Sequence, residues 1–210
     1  ELEPLAQEAR KFKSAEEFVR AKEKNSFFTG TSIENAEQIM KNRFRGKAKT
    51  LGAIGDETAD TISVTRSKRT AASYTDNQFS NQQGKIVAFD KNNLKIATEA
   101  DAKKLGVKII DKDALKKAGF DGADISKYNK RSMSDEFDEI IVWNKDILKP
   151  THTISVENTG KLSVDEFGLD RYEYKTKSQL TDFFNQAKAT QAVKAIPTEL
   201  EPLAQEARKF

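Results

Sequence analysis

Glu139 stands immediately before the apolar run Ile140-Ile141-Val142-Trp143. A carboxylate leading into such a run costs free energy unless it lies at an exposed edge or meets a partner. Glu139 is therefore either a residue placed to act on a ligand or a solvated start to a strand. A second candidate is Phe27-Phe28-Thr29-Gly30-Thr31-Ser32. A glycine between two threonines lets a backbone N–H and C=O come close to a flat ligand, because no Cβ intervenes. The plainer reading is a helix cap supplied by Thr31 or Ser32. A third is Asp60-Thr61-Ile62-Ser63-Val64-Thr65-Arg66-Ser67 with Ala71-Ala72-Ser73-Tyr74 after it. There Ser63 offers a hydroxyl from a strand and Tyr74 a flat aromatic face that suits a flat ring. The plainer readings are a small strand residue and a half-buried helix residue.

Other chemistries are excluded or weak. The chain has no cysteine, so disulfide and thiol chemistry are absent, and its one histidine cannot build a zinc site of several His or Cys ligands. There is no GxxxxGK[ST] phosphate loop and no GxGxxG. Asp56, Glu57 and Asp60 match no metal-binding loop. Lys127-Tyr128-Asn129-Lys130-Arg131 reads as a solvated loop, with contact to a phosphate or nucleic acid as the weaker alternative. With 36 basic and 33 acidic residues the net charge is only +3, which gives no general attraction to nucleic acid. His152 shares a strand face with Ile154 and Val156 and reads as structural.

The elements that must position these residues follow from periodicity and punctuation. A helix is expected over residues 5–24, restarting at the box Ser14-Ala15-Glu16-Glu17. Asn25–Phe28 reads as a strand and Ser32–Asn42 as a helix, boxed by Thr31 and Glu34. Residues 46–60 are Gly-rich and polar and read as a mobile loop. Strands are expected at 61–65, 85–89, 94–96, 120–125 and 139–143, with short helices at 67–74, 100–105 and 112–117. Residues 152–157 and 161–165 read as a hairpin turning at Asn158-Thr159-Gly160. A last helix opens at Ser178 with Leu180, Phe183, Phe184 and Ala187 on one face, until Pro197 interrupts it. Strands and helices alternate irregularly, which argues for an α+β fold.

The clearest pattern is a repeat. Residues 1–12 and 199–210 are the same twelve letters, ELEPLAQEARKF. Together with the missing initiator Met, this is expected of one module of a longer polyprotein with the repeat as spacer. The other reading is a duplicated interaction or linker helix. The N-terminus lacks the features of a secretory signal, and no apolar run reaches the roughly 20 residues of a membrane span. The expected organisation is a repeat-bearing helix or linker over 1–24, a core domain over 25–150, a β-hairpin extension over 151–174, a helix over 175–198 and the second repeat over 199–210.

The order of these segments resembles that of ADP-ribosyltransferase domains of the phage or mobile-element polyprotein type. FFTGTSIENAEQIM is similar to the family's aromatic-His-Gly-Thr/Ser opening, with Thr29 in place of the histidine. Ala118-Gly119-Phe120-Asp121-Gly122 is similar to the Gly-aromatic-Asp-Gly strand that precedes the family's glutamate strand. The resemblance covers residues 26–148 and implies a split β-sheet core with short helices, flanked by terminal helices. It further implies NAD as substrate, with Gly30 bonding the nicotinamide carboxamide, Thr29 reaching a ribose with a shorter arm than histidine, and Thr31, Ser63 and Tyr74 framing the pocket. Glu139 becomes the catalytic glutamate, bonding ribose hydroxyls and stabilising the cation that forms as nicotinamide leaves. Many arginine-modifying members carry a second carboxylate two residues before this glutamate. Here that position is Phe137, which argues against arginine as acceptor. The implied product is ADP-ribose on a macromolecule, most simply a protein, in the cytoplasm (the host's, for a phage protein). The alternative is a catalytically inactive binding or spacer module on the same fold.

Overall fold

The computed structural model describes residues 3–42, 61–75, 84–127, 138–144, 147–164 and 170–194. In chain order these form α1 (Glu3–Ala9), α2 (Ala15–Glu23), β1 (Ser26–Ser32), α3 (Ile33–Asn42), β2 (Ile62–Val64), α4 (Lys68–Ser73), β3 (Gly84–Asp90) and β4 (Ile96–Ala97). They continue with α5 (Glu99–Leu105), α6 (Lys112–Lys117), β5 (Gly122–Asp124), β6 (Ile140–Val142), β7 (Lys149–Val164), β8 (Asp170–Ser178) and α7 (Gln179–Lys194). The fold is α+β, with two sheets and several helices. The expected loop over 46–60 and Pro197 lie outside the described residues. None of the described helices is long and apolar enough to cross a membrane.

The chain divides into two compact units, Glu23–Ser178 and a helical unit combining Glu1–Lys22 with Gln179–Phe210. In the helical unit the first helix stops and restarts where the sequence marks it. The Glu17 N–H donates to Ser14 Oγ at 3.2 Å, which satisfies one of the opening donors of α2. Ala9, Phe18, Leu180, Phe184 and Ala187 are buried together. The Phe18 ring lies 5.4 Å from that of Phe12 and 5.9 Å from that of Phe184.

The larger unit holds two four-stranded sheets, ordered β1-β3-β7-β8 and β2-β6-β5-β4. All the pairings are antiparallel except β4 with β5. Alternation along each strand divides the core. Phe27, Val87 and Phe89 of the first sheet meet Ile62, Val64, Ile140 and Val142 of the second, with Ala36 and Ile39 of α3 beside them. On the other face of the first sheet, Phe28, Ile86, Ala88, Ile154 and Val156 pack against Ala71 and Ala72 of α4. On the other face of the second, Ala97, Ala123, Ile125, Ile141 and Trp143 pack with Ala102 of α5 and Leu115 of α6. Among the described residues one isolated bridge joins the sheets, Phe28 with Thr65, through two backbone bonds of 2.8 Å.

Two local expectations change. The strand entering α3 runs on to Ser32, with Thr31 paired to Lys85, so Thr31 does not box the helix. Ser32 Oγ instead accepts the Asn35 N–H at 3.2 Å. The turn expected at Asn158-Thr159-Gly160 is a bulge inside one long strand. Asn158 pairs with Tyr174 and Leu162 with Tyr172, so residues 159–161 oppose Glu173 alone. The turn chemistry is present: Gly160 has a φ of 71° and its N–H donates to Asn158 Oδ1 at 2.9 Å. Continued pairing with β8 on both sides makes it a kink rather than a reversal. The extension expected over 151–174 thus supplies most of β7, which lies inside the sheet between β3 and β8.

Candidate functional site

Gly30 sits in the middle of β1, paired with Ile86 on β3. Phe28, two residues earlier, spends both its N–H and its C=O on Thr65. Backbone groups two residues apart on a strand point the same way, so those of Gly30 are directed to the β2 side of β1, away from β3. Its Cα faces α4 at very close range. A Cβ built on Gly30 would lie 1.8 Å from the Ala71 carbonyl oxygen and 3.1 Å from Tyr74 Cβ. Glycine is required there because the helix carrying Tyr74 rests on the strand's bare backbone.

Tyr74 follows α4 as its C-cap and keeps 56% of its surface exposed. Its hydroxyl pKa is pushed up to about 12, first by burial of the hydroxyl and second by the negative charge of Glu139. Tyr74 and Glu139 are thus electrostatic neighbours although 65 residues separate them (139 − 74 = 65). Glu139 is half-buried at the entrance to β6, and Ser63 Oγ on neighbouring β2 donates to its Oε1 at 3.1 Å. Ser63 and Glu139 are thus hydrogen-bonded, Gly30 and Tyr74 pack together, and the charge of Glu139 reaches from the first pair to the second. Thr29 and Thr31 do not join them. They flank Gly30 on a regular strand, so their side chains leave the opposite face, and both are buried.

The backbone around Glu139 is held from both sides by residues that sequence reasoning missed. The Glu139 N–H donates to Ser126 Oγ at 3.1 Å, and its carbonyl accepts the Ile125 N–H at 2.9 Å. Asp138 accepts from the Thr65 hydroxyl, from the Arg66 N–H at 2.8 Å and from Arg66 Nη1 at 3.2 Å. Arg66 Nη2 reaches Asp124 at 2.9 Å, and Ser126 Oγ donates to the same carboxyl at 2.5 Å. Burial pushes the Asp124 pKa up, but the bonds from Ser126 and the charge of Arg66 outweigh it and hold the carboxyl below its ordinary value. The result is a closed ring from Asp138 through Arg66, Asp124 and Ser126 to the Glu139 backbone. Asp138 and Glu139 diverge as strand alternation anticipates, one to Arg66 and the other to Ser63. The Asp124-Ile125-Ser126 spacing allows a local side-chain turn and was a visible signal. The Arg66 pairings, across 58 and 72 residues, had none.

Outside this cluster, His152 is buried and its Nε2 lies 3.4 Å from Glu23 Oε1, while Lys68 donates to Glu23 Oε2 at 2.5 Å. The histidine therefore serves as packing and pairing, as its strand face suggests. Residues 128–131, Asp56, Glu57, Asp60 and Phe137 lie outside the described residues. No group of His, Cys, Asp and Glu among the described residues can hold a metal ion. The cluster as described joins an exposed aromatic face, a fixed carboxylate and a hydroxyl beside it, a set suited to a flat ring and a polyhydroxyl group. No protein-family model, curated protein or solved structure matches the chain.

Proposed function

We propose that the Glu23–Ser178 unit is an ADP-ribosyltransferase domain that takes NAD as substrate and transfers ADP-ribose to a macromolecular acceptor, most simply a protein. The observation that supports this reading is the Ser63 bond that holds Glu139, with Tyr74, packed beside Gly30, within reach of the carboxylate's charge. In the reaction the bond from ribose C1′ to the nicotinamide nitrogen breaks, with its electron pair leaving on nicotinamide. The acceptor's nucleophile forms the new bond at C1′ and gives up its proton to water. Tyr74 offers its exposed face to the nicotinamide ring. Gly30 lets α4 rest on the bare strand and so places Tyr74 beside it. Glu139 accepts from ribose hydroxyls and stabilises the positive charge that develops on the sugar. Ser63 keeps the carboxylate aimed, and the ring through Arg66, Asp124, Ser126 and Asp138 keeps its backbone in place. Thr29 and Thr31 contribute packing rather than hydroxyls. The two sheets and short helices are compatible with a split-sheet core of this family.

The test is release of nicotinamide from NAD, followed chromatographically with and without candidate acceptor proteins. The unmutated chain is expected to release it, and Glu139→Gln to be slower by roughly 100- to 1000-fold, the usual cost of removing one electrostatic stabiliser. No release from the unmutated chain under either condition would overturn the enzymatic reading. NAD binding without turnover would leave a non-catalytic NAD-binding module.

A further inference from the structure

The first copy of the repeated dodecamer has a structural role within the helical unit. Residues 3–9 of it form α1, and Ala9 is fully buried against Phe18 of α2 and Leu180, Phe184 and Ala187 of α7. Phe12 stacks at a tilt on Phe18. Glu8 pairs with Lys22, and the Arg10 carbonyl accepts from Lys188 Nζ at 3.1 Å. Each of these dodecamer residues has an identical counterpart 198 positions later: Glu206, Ala207, Arg208 and Phe210. Residues 199–210 lie outside the described residues, but their sequence carries every group the first copy uses. The chain therefore holds two identical keys, while the described residues form one seat, which the first key already fills.

We propose that the seat formed by α2 and α7 is a docking site for the dodecamer in trans, with residues 199–210 of one chain entering the seat of a second copy of the chain. The exchange replaces each contact with its equal, so it costs little beyond loss of tethering, as in domain swapping. Exchange that is reciprocal between two copies closes as a dimer, and exchange that is not continues as an open array. Tethering sets the balance. A copy held in its own chain acts at an effective concentration on the order of millimolar. At micromolar protein the first copy keeps its own seat and the chain is mainly monomeric. Ejecting the first copy opens the seat to the second.

Sedimentation velocity on the full chain tests this over a range from about 1 to about 300 µM, below the effective concentration of the tether. Ala9→Asp places a charge at a fully buried position and expels the first copy. The second copy of the same chain is tethered as well and refills that seat, so the acceptor is the double variant Ala9→Asp/Ala207→Asp, which has an open seat and no intact key. Mixed with the unmutated chain, whose first copy fills its own seat and leaves the second to dock elsewhere, it is expected to form a species of twice the monomer mass. Mixed with an Ala207→Asp chain it is expected to stay monomeric. A mixture with the unmutated chain that stays monomeric throughout, or association that survives Ala207→Asp in the donor, overturns the proposal. If the helical unit does not survive Ala9→Asp, a labelled ELEPLAQEARKF peptide titrated into a chain lacking residues 1–12 and 199–210 gives the second reading. Saturable binding that falls at least tenfold when the peptide's alanine corresponding to Ala9 is made Asp supports docking. Equal binding of the two peptides, or none, overturns it.

Discussion

Replacing Gly30 by alanine tests the packing on which the site depends, independently of any ligand. The added Cβ would meet the Ala71 carbonyl oxygen at 1.8 Å, whereas ordinary contact begins at 3.4 Å. The two must part by 1.6 Å (3.4 − 1.8). Neither side yields easily. Gly30 is held in register against Ile86, and the Ala71 oxygen is a backbone atom that already accepts the Tyr74 N–H at 3.1 Å. Moving α4 outward instead lifts Ala71 and Ala72, both fully buried, off Phe28, Ile86 and Ala88. Overpacking of a tight core commonly costs 1–3 kcal/mol, and a clash of backbone on backbone belongs at the upper end, so we expect a loss of about 3 kcal/mol. Urea unfolding followed by the fluorescence of Trp143, the only tryptophan, reads it directly. That residue is 8% exposed, and its Nε1–H donates to the Phe120 carbonyl at 2.8 Å, so it reports on the sheet unit. With a slope of about 2 kcal/mol/M the midpoint should fall by roughly 1.5 M. A midpoint lower by less than about 0.3 M, equivalent to about 0.6 kcal/mol at that slope, would refute the close seating of α4 on β1.

Two further outcomes follow from the electrostatics. Ultraviolet titration should find one of the four tyrosines ionising near pH 12, and the step should vanish in Tyr74→Phe. In Glu139→Gln it should move down toward the ordinary value of 10.0, because one cause of the shift is gone; an unmoved step would separate the two side chains. Burial would raise the Glu23 carboxyl, but hydrogen bonds from His152 and Lys68 outweigh it and lower its pKa below 4.5. Its stabilising contribution is therefore complete above the unfolded value and is lost as pH falls through the folded one. Glu23→Gln should cost about 2 kcal/mol near neutral pH, because the bonds that Lys68 and His152 make to a buried carboxylate lose their charged acceptor. It should also flatten the acid limb of a stability–pH profile, and an unchanged acid limb in that variant would exclude Glu23 as its source.

What could be read from the sequence is what local chemistry fixes. The restart at Ser14, the apolar face of α7 and the β-branched run ending at Trp143 all announce themselves within a few residues. Gly30, Ser63, Tyr74 and Glu139 were named from segment order and residue type. Strand alternation separates Thr29 and Thr31 from Gly30 only because β1 runs on to Ser32, past the strand that the sequence predicts. The bulge at residues 159–161 was not legible, because the same Asn-Thr-Gly chemistry serves a turn or a kink. The choice is made by pairing partners on β8, beyond the window of local reading. The ring around Glu139 escaped for a related reason. Arg66 looks like any solvated cation until folding brings Asp124 and Asp138 to it.

The bridge between Phe28 and Thr65 gives the sheet unit a definite mechanical joint. At that bridge the seam between the sheets is held by two backbone hydrogen bonds, with side-chain packing beside it. A pull drawing β2 away from β1 loads that pair together, and the seam can open only by breaking both. The amides of Phe28 and Thr65 thus act as a latch whose deuterium exchange clocks every parting of the sheets. Gly30 lies two residues along the strand from the latch, at the point a crack would reach next.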